Sequence, residues 1–204
     1  MGPFGMSVLP LAVVLALASD PACGARPGIE PARIVAVAQQ ESGLDPLIIG
    51  ANADPARGLP HQAIRSATPT EAVAKATALL AAGRSLDLGI SGINATNLRR
   101  DGLTLTTAFD ACASIRAAYH HLAGDFEAAA IWTRAHSRYN SGSFERGAAY
   151  AASVETVLAR VRTAAPSPSI GDASASAPIS LAPVPSNPFV RSGAGRVLTF
   201  THNQ

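Results

Sequence analysis

The chain has 204 residues, 15% of them charged, and a formal net charge of +2. That length allows one sizeable core with appendages. The weak charge excludes a strong polyelectrolyte partner, and no basic run or interleaved aromatic stripe marks a nucleic-acid surface.

The first distinctive stretch is apolar, MSVLPLAVVLALAS, and is interrupted by Pro10. It is too short to cross a bilayer comfortably and ends in Ala16-Leu17-Ala18, a small-x-small pattern. Residues 1–18 are therefore expected to be a secretory signal, although no Lys or Arg precedes the run; a retained anchor is the alternative. Export would place the protein in the periplasm, with no stable membrane span after cleavage. Cys23 and Cys112 are the only cysteines. An even count in an exported chain favours a disulfide, which for so long a loop contributes about 4 kcal/mol; two buried free thiols are the alternative. The pair lacks the close spacing a zinc site uses, and neither a metal nor a cofactor is expected.

From about residue 29 to 162 the pattern is helical. Pro31 suits a first helical position, and ARIVAVAQQES runs to Gly43 as a C-terminal stop. LIIGANADPARGLPHQAIRSA is rich in turn residues and reads as loop with a short extended piece. Thr68-Pro69-Thr70-Glu71 is a capping box that opens a helix ending near Gly83. SLDLGISGIN is a Gly-punctuated turn with alternating apolar residues, and a short helix through ATNLRR stops at Gly102. Asp110 caps a helix expected to reach Gly124, with Ile115, Tyr119 and Leu122 on its inner stripe. A further helix covers FEAAAIWTRAHSR, YNSGSFERG forms a loop, and a last helix runs from about Ala148 to Arg162. Residues 164–204 are rich in Pro, Ser and Ala and read as a flexible tail whose end, RVLTFTHNQ, has strand-like character. No internal repeat is present.

One carboxylate stands out. In VAVAQQESGLDP, Glu41 lies just before Gly43, at the helix end where the dipole least favours negative charge. Ile34, Val37 and Ala38 precede it by seven, four and three positions and share its face. Burial and the dipole together raise its pKa, and a carboxylic acid kept protonated near neutral pH can donate a proton to a leaving oxygen.

AVAQQESGLDPLIIGAN, GRSLDLGISGIN, AFDACASIRAAYHHL and RYNSGSFERGAAYAASV resemble, in order, the motifs of lysozyme-like lytic transglycosylases. The similarity is greatest to the branch serving conjugative and type IV secretion machinery, and it covers residues 23 to 162. It implies a mainly α, lysozyme-like fold with a small irregular or β segment. It also implies cleavage of the β-1,4 bond between N-acetylmuramic acid and N-acetylglucosamine in peptidoglycan glycan strands. By the same resemblance, Glu41 is the sole catalytic acid/base and Ser42 the neighbour that helps hold its carboxylate. Ile93 and Asn94 end the glycan-cleft motif; Tyr139 points at the catalytic carboxylate beside Asn140; Tyr150 is a later cleft aromatic. The cysteines also fit, since this branch often carries one before the catalytic helix and one in the FD-x-C segment. The tail would then meet subunits of the secretion apparatus.

Two departures stand out. Gly92 occupies the position of a cleft glutamine in the family, so restoring Gln there is expected to raise turnover. Arg138 replaces the small residue before the tyrosine. In the implied reaction Glu41 protonates the glycosidic oxygen, then accepts a proton from the muramic acid C6 hydroxyl as that oxygen attacks C1. The product is a 1,6-anhydro sugar, and no second protein carboxylate is required, unlike ordinary glycosidases. The alternatives are a hydrolytic lysozyme, with Asp45 and Asp54 as neighbouring carboxylates better suited to turn or cap duty, and a non-catalytic peptidoglycan-binding component of the apparatus. His120 and His121 diverge by about 100° on a helix and make a poor metal pair. Trp132 reads as core.

Overall fold

Helices α1 to α6 and four short strands make up the described part, residues 8–164, of the computed structural model. The helices are α1 (Leu11–Ser19), α2 (Pro31–Ser42), α3 (Pro69–Ala81), α4 (Ala111–Ala129), α5 (Trp132–Ser141) and α6 (Ala148–Ala164). The strands β1 (Ile49–Ala51), β2 (Gln62–Ile64), β3 (Leu86–Leu88) and β4 (Ile93–Asn94) form one antiparallel sheet in the order β2-β1-β3-β4. The architecture is mainly α and lysozyme-like, with the small β segment in the middle of the chain. The tail expected over residues 164–204 lies outside the described residues apart from Ala164, which ends α6.

Local signals set several boundaries. Pro31 opens α2, and Gly43 closes it at φ 64°, its N–H donating to the Gln39 carbonyl at 3.0 Å. Thr68 caps α3 by accepting from the Glu71 N–H, while the Glu71 carboxylate reaches back to the Ala67 N–H at 2.7 Å. Asp110 caps α4 through the Ala113 N–H. One expected stop fails. The chain passes through Gly124 in helical form, with Leu122 buried and Phe126 packed on the core. Their burial outweighs the ~1 kcal/mol helix penalty of one glycine. The break comes at Ala130, in the left-handed region at φ 57°, and lets Phe126 stack on Trp132 with ring centroids 3.9 Å apart. Helix α5 then runs to Ser141, so Tyr139 and Asn140 sit on its last turn rather than in a loop.

Two cores share the chain. In the helical one, α2 packs on α6, α5 bridges α4 and α6, and Ile34, Ile115, Tyr119, Leu122, Val154 and Leu158 are buried. In the other, Ile49, Ala51, Leu86, Leu88 and Ile93 pack with Ala72 and Ala76 of α3 and with Leu98 and Phe109. The sheet's opposite face follows from period-two alternation. Cross-strand partners Ala63, Gly50, Asp87 and Asn94 form a row there, and this row is the floor of the cleft between the two cores.

The apolar run expected to leave as an export signal is part of the helical core. As α1 it buries Val14 and Ala18 completely, the Leu9 N–H donates to the Leu44 carbonyl at 2.9 Å, and the buried Tyr119 hydroxyl donates to the Ala18 carbonyl at 2.5 Å. A fold boundary at Ser19 therefore cuts through packed structure. An apolar run of this length satisfies a signal sequence and a core helix equally well. No helix among the described residues is long and apolar enough to cross a membrane.

Cys23 and Cys112 form a disulfide that ties the turn after α1 to the start of α4, across 89 residues. A buried ionic cluster ties α2 to α5 and α6. Arg33, 5% exposed, donates to Glu155 at 2.7 Å and lies over the Trp132 ring at 4.3 Å. His136 beside it is pushed down to about 4 by burial and by the Arg33 charge, so it stays neutral and adds no second cation.

Removing residues 1–18 strips Val14 from the core and leaves the Tyr119 hydroxyl without its acceptor, a loss of roughly 3–5 kcal/mol. Urea unfolding of the full and shortened chains measures this, and equal midpoints would show α1 to be dispensable. Cys112→Ser is expected to cost about 2–5 kcal/mol under oxidising conditions and nothing in the presence of reductant.

Candidate active site

Glu41 projects from the last turn of α2 into the cleft, partly shielded from solvent. Its two oxygens have different surroundings. Oε1 accepts a 2.5 Å hydrogen bond from the hydroxyl of Tyr150 on α6. Oε2 lies against Gly92, where an added Cβ would stand only 2.5 Å from it. The Tyr150 bond occupies Oε1, so when the carboxyl is protonated the proton belongs on Oε2, the oxygen turned toward the sheet. Burial is the main cause that pushes this carboxyl up to about 8; the Tyr150 hydrogen bond opposes the shift and the negative charge of Asp87 adds to it. Burial likewise raises the Tyr139 and Tyr150 phenols well above their ordinary value, so both remain protonated donors.

Two cavities meet at the residues Glu41, Asp87 and Gly92. The first also contains Asn94, His121, Tyr139 and Asn140, bringing β4, α4 and α5 to one place. The second continues over Gly50 and Ala63 toward His61 and encloses about 50 Å³. Asp87 is 7% exposed and accepts from the Asn94 Nδ2 at 2.8 Å. The Asn94 carbonyl oxygen in turn accepts from the N–H and hydroxyl of Thr96, which fixes the amide's orientation. Gly92 adopts φ 61°, and a side chain there would be both strained and driven into Glu41.

The structure brings Glu41, Ile93, Asn94, Tyr139, Asn140 and Tyr150 together and redistributes their work. The Tyr139 hydroxyl donates to the Ser91 carbonyl at 2.9 Å, so Tyr139 braces the loop before β4 while Tyr150 holds the carboxylate. Ser42 does not reach the carboxylate either. One residue on, it points 100° away around the helix, and its hydroxyl bonds the Ala38 and Ile90 carbonyls, both at 2.8 Å. It thereby ties the end of α2 to the loop that carries Gly92. Arg138 points away from the floor, pairing with Asp125 at 3.3 Å and lying over Phe144. Asp45 and Asp54 have turn and cap duties: Asp45 accepts from the Leu47 N–H and from Arg65, and Asp54 from the Arg57 N–H.

Asp87 and His121 are the residues missed in reading the sequence. Asp87 carried a signal, since SLDLG sets one acid among alternating apolar residues, and on a strand that position faces the side opposite the core. His121 looked unpromising as a metal ligand; instead its Nε2 lies 2.7 Å from the Asp101 carboxylate at the cleft edge.

The site is thus a partly shielded glutamic acid between two cores of a helical, lysozyme-like domain, facing a small sheet. Residues 22–156 match the family described as Transglycosylase SLT domain, and the chain belongs to it. Among curated relatives, the protein virB1 of Rhizobium radiobacter is 33% identical over 139 residues, 64% of this chain and 56% of its own length. The protein virB1 of Agrobacterium fabrum is 29% identical over 172 residues, 72% of this chain and 67% of its own. The chain thus spans little more than half the length of the first of these relatives. No solved structure matches.

The Glu41 shift has a stability consequence with a definite sign. A carboxyl near 4.5 in the unfolded chain and about 8 when folded holds its proton more tightly in the fold. Its stabilising contribution is complete below pH 4.5 and is lost as pH rises through about 8, by up to roughly 1.4 kcal/mol per pH unit. Glu41→Gln should remove this slope and exceed the parent chain in stability at pH 8, as read by urea midpoints at pH 5 and pH 8.

Proposed function

We propose that this chain is a lytic transglycosylase that cleaves the β-1,4 bond between N-acetylmuramic acid and N-acetylglucosamine and forms a 1,6-anhydro end. Glu41 supports this reading most directly, as a carboxyl held protonated near neutral pH that lines both cavities. Glu41 Oε2 gives its proton to the glycosidic oxygen and the C1–O bond breaks. The resulting carboxylate, steadied by the Tyr150 hydroxyl, takes the proton of the muramic acid C6 hydroxyl as that oxygen bonds to C1. The nucleophile belongs to the substrate, so one acid/base suffices. Asn94 and Asn140 offer amides, and Ile93 an apolar surface, to a sugar in the first cavity, with Tyr139 as its wall.

Similarity to the virB1 proteins supports a further reading, that the enzyme opens the wall locally for a type IV secretion or conjugation apparatus and acts in the periplasm. The tail is the segment proposed to meet that apparatus, and it lies outside the described residues.

Purified protein incubated with peptidoglycan sacculi should release anhydro-muropeptides, identified by mass spectrometry. Glu41→Gln should reduce them by at least about 100-fold, the lower range for loss of a general acid; anhydro products that persist in this variant would sink the assignment. Gly92→Gln, expected from the family pattern to raise turnover, should lower it, because the space that side chain needs is filled by the Glu41 carboxyl. Displacing a reacting group by about 1 Å costs on the order of 10²-fold. The smaller Gly92→Ala change should act in the same direction and also lower Tm, since φ 61° strains any side chain and the added Cβ crowds Glu41.

A further inference from the structure

We propose that Arg100 and Arg138, on the rim of the first cavity beside His121, bind carboxylates of the stem peptide carried by muramic acid. Glycan bearing anionic peptides is then favoured over glycan whose peptides are neutral or absent. The inference rests on the peptidoglycan reading above and adds a determinant of substrate choice that lies outside the Glu41 contacts.

Three observations carry it. First, the two arginines adjoin the cavity. His121 lines it, and the Arg100 Nη2 lies 3.0 Å from the His121 Nε2. Asp125, one turn beyond His121 on α4, pairs with the Arg138 Nε at 3.3 Å. Burial pushes the Asp125 carboxyl up to about 6, and Arg138, His121 and Arg100 all oppose that rise, so all three lie near this one carboxyl. Second, the cluster is neutral in sum but not in what it turns to solvent. The Asp101 and Asp125 side chains are 0% and 16% exposed, against 50% and 41% for Arg100 and Arg138. The acids lie beneath and the cations face outward. Third, the guanidinium groups are held before any ligand arrives. Arg100 engages Asp101 through Nε and His121 through Nη2, and Arg138 pairs with Asp125 and lies over the Phe144 ring at 5.0 Å. Among the described residues no hydrogen bond occupies Nη1 of Arg100 or either Nη of Arg138. An arginine fixed in this way loses less rotamer freedom on binding, and its fork matches a carboxylate.

The substrate supplies the matching anion. Muramic acid carries its stem peptide on the lactyl group at C3, and the peptide bears carboxylates and must leave the glycan over a rim of the cleft. A strand stripped of its peptides keeps only the lactyl carboxylate, close to the sugar ring, so the two anions are separable by experiment. No bond is made or broken at this rim. It binds ground state and transition state alike and therefore acts on KM rather than on kcat. Arg138 stands where the family carries a small residue, so the second cation is a feature of this chain.

The test uses the full chain with Glu41→Gln, which keeps the rim and removes the acid, so that strands bind without turnover. Kd is measured for three kinds of soluble, uncrosslinked glycan strand. One kind carries stem peptides, one has its peptide carboxylates amidated with carbodiimide and ammonia, and one is stripped of peptides by an amidase. Peptide-bearing strands should bind about fivefold more tightly than either other kind, within the range for two exposed ion pairs, and the difference should fade in about 1 M salt. Adding Arg100→Gln and Arg138→Gln together should bring the ratio to about one and leave the Kd for amidated strands unchanged, which a merely structural role would not do. Arg100→Lys with Arg138→Lys keeps the charge and should keep a preference. Equal binding of peptide-bearing and amidated strands, or a preference that survives the two Gln changes, would overturn the proposal. Stripped strands that bind as tightly as peptide-bearing ones would move the anion to the lactyl group and reject the stem-peptide assignment. Cleavage by the parent chain is scored separately: a preference without anhydro products keeps the rim and overturns the lytic reading, and products without a preference do the reverse. No binding of any strand would overturn the rim.

Discussion

Keeping one carboxyl out of water is the constraint on which the site depends. Burial raises the Glu41 pKa, and the Tyr150 hydrogen bond limits how far. Either influence alone would make a poor proton donor near neutral pH: unopposed burial would make the acid too reluctant to release its proton, and a hydrogen bond without burial would leave an ordinary ionised carboxylate. The balance requires α2 and α6 to stay in fixed relation, because Glu41 lies on one and Tyr150 on the other. Arg33 provides this from one side, clamped between Glu155 of α6 and the Trp132 ring of α5. Buried ions of this kind add little net stability but penalise any rearrangement that separates them.

The sheet has the complementary task. Its strands are two or three residues long and would not persist alone, yet their alternation divides them cleanly. Ile49, Leu86, Leu88 and Ile93 are drawn to α3 by apolar burial, and that commitment turns Gly50, Asp87 and Asn94 to the opposite side. A one-residue slip would bury Asp87 in the apolar core, so the register is specified by the cost of that error. Ser42 and Tyr139 then attach the loop between β3 and β4 to the helices through the Ile90 and Ser91 carbonyls. Gly92 is held between those two anchors against Glu41. Two residues expected to touch the carboxylate or the sugar thus act on the backbone that shapes the cleft.

Membership of the SLT family accounts for the order of motifs along the chain, and the geometry explains one departure from the pattern. The family glutamine at position 92 is replaced by a glycine whose backbone has turned to the left-handed region and whose missing side chain admits the Glu41 carboxyl. The substitution and the position of the acid belong together.

Much was legible in the residues themselves because the signals are local. Pro31 and Gly43 bound α2, the capping box at Thr68 opens α3, Asp110 starts α4, and the apolar spacing before Glu41 places that acid at the edge of a buried face. The even cysteine count pointed to a bridge, and the structure forms it. What only the tertiary structure decided depends on contacts between distant segments. Which tyrosine reaches the acid turns on how α5 and α6 cross. The packing of the first apolar run depends on Tyr119 and Leu44, far along the chain, which present partners for it. The role of Asp87 appears only when β3 lies between Gly50 and Asn94. Hydrophobic periodicity and capping are settled within a few residues, whereas the environment of a carboxyl is the sum of everything packed around it.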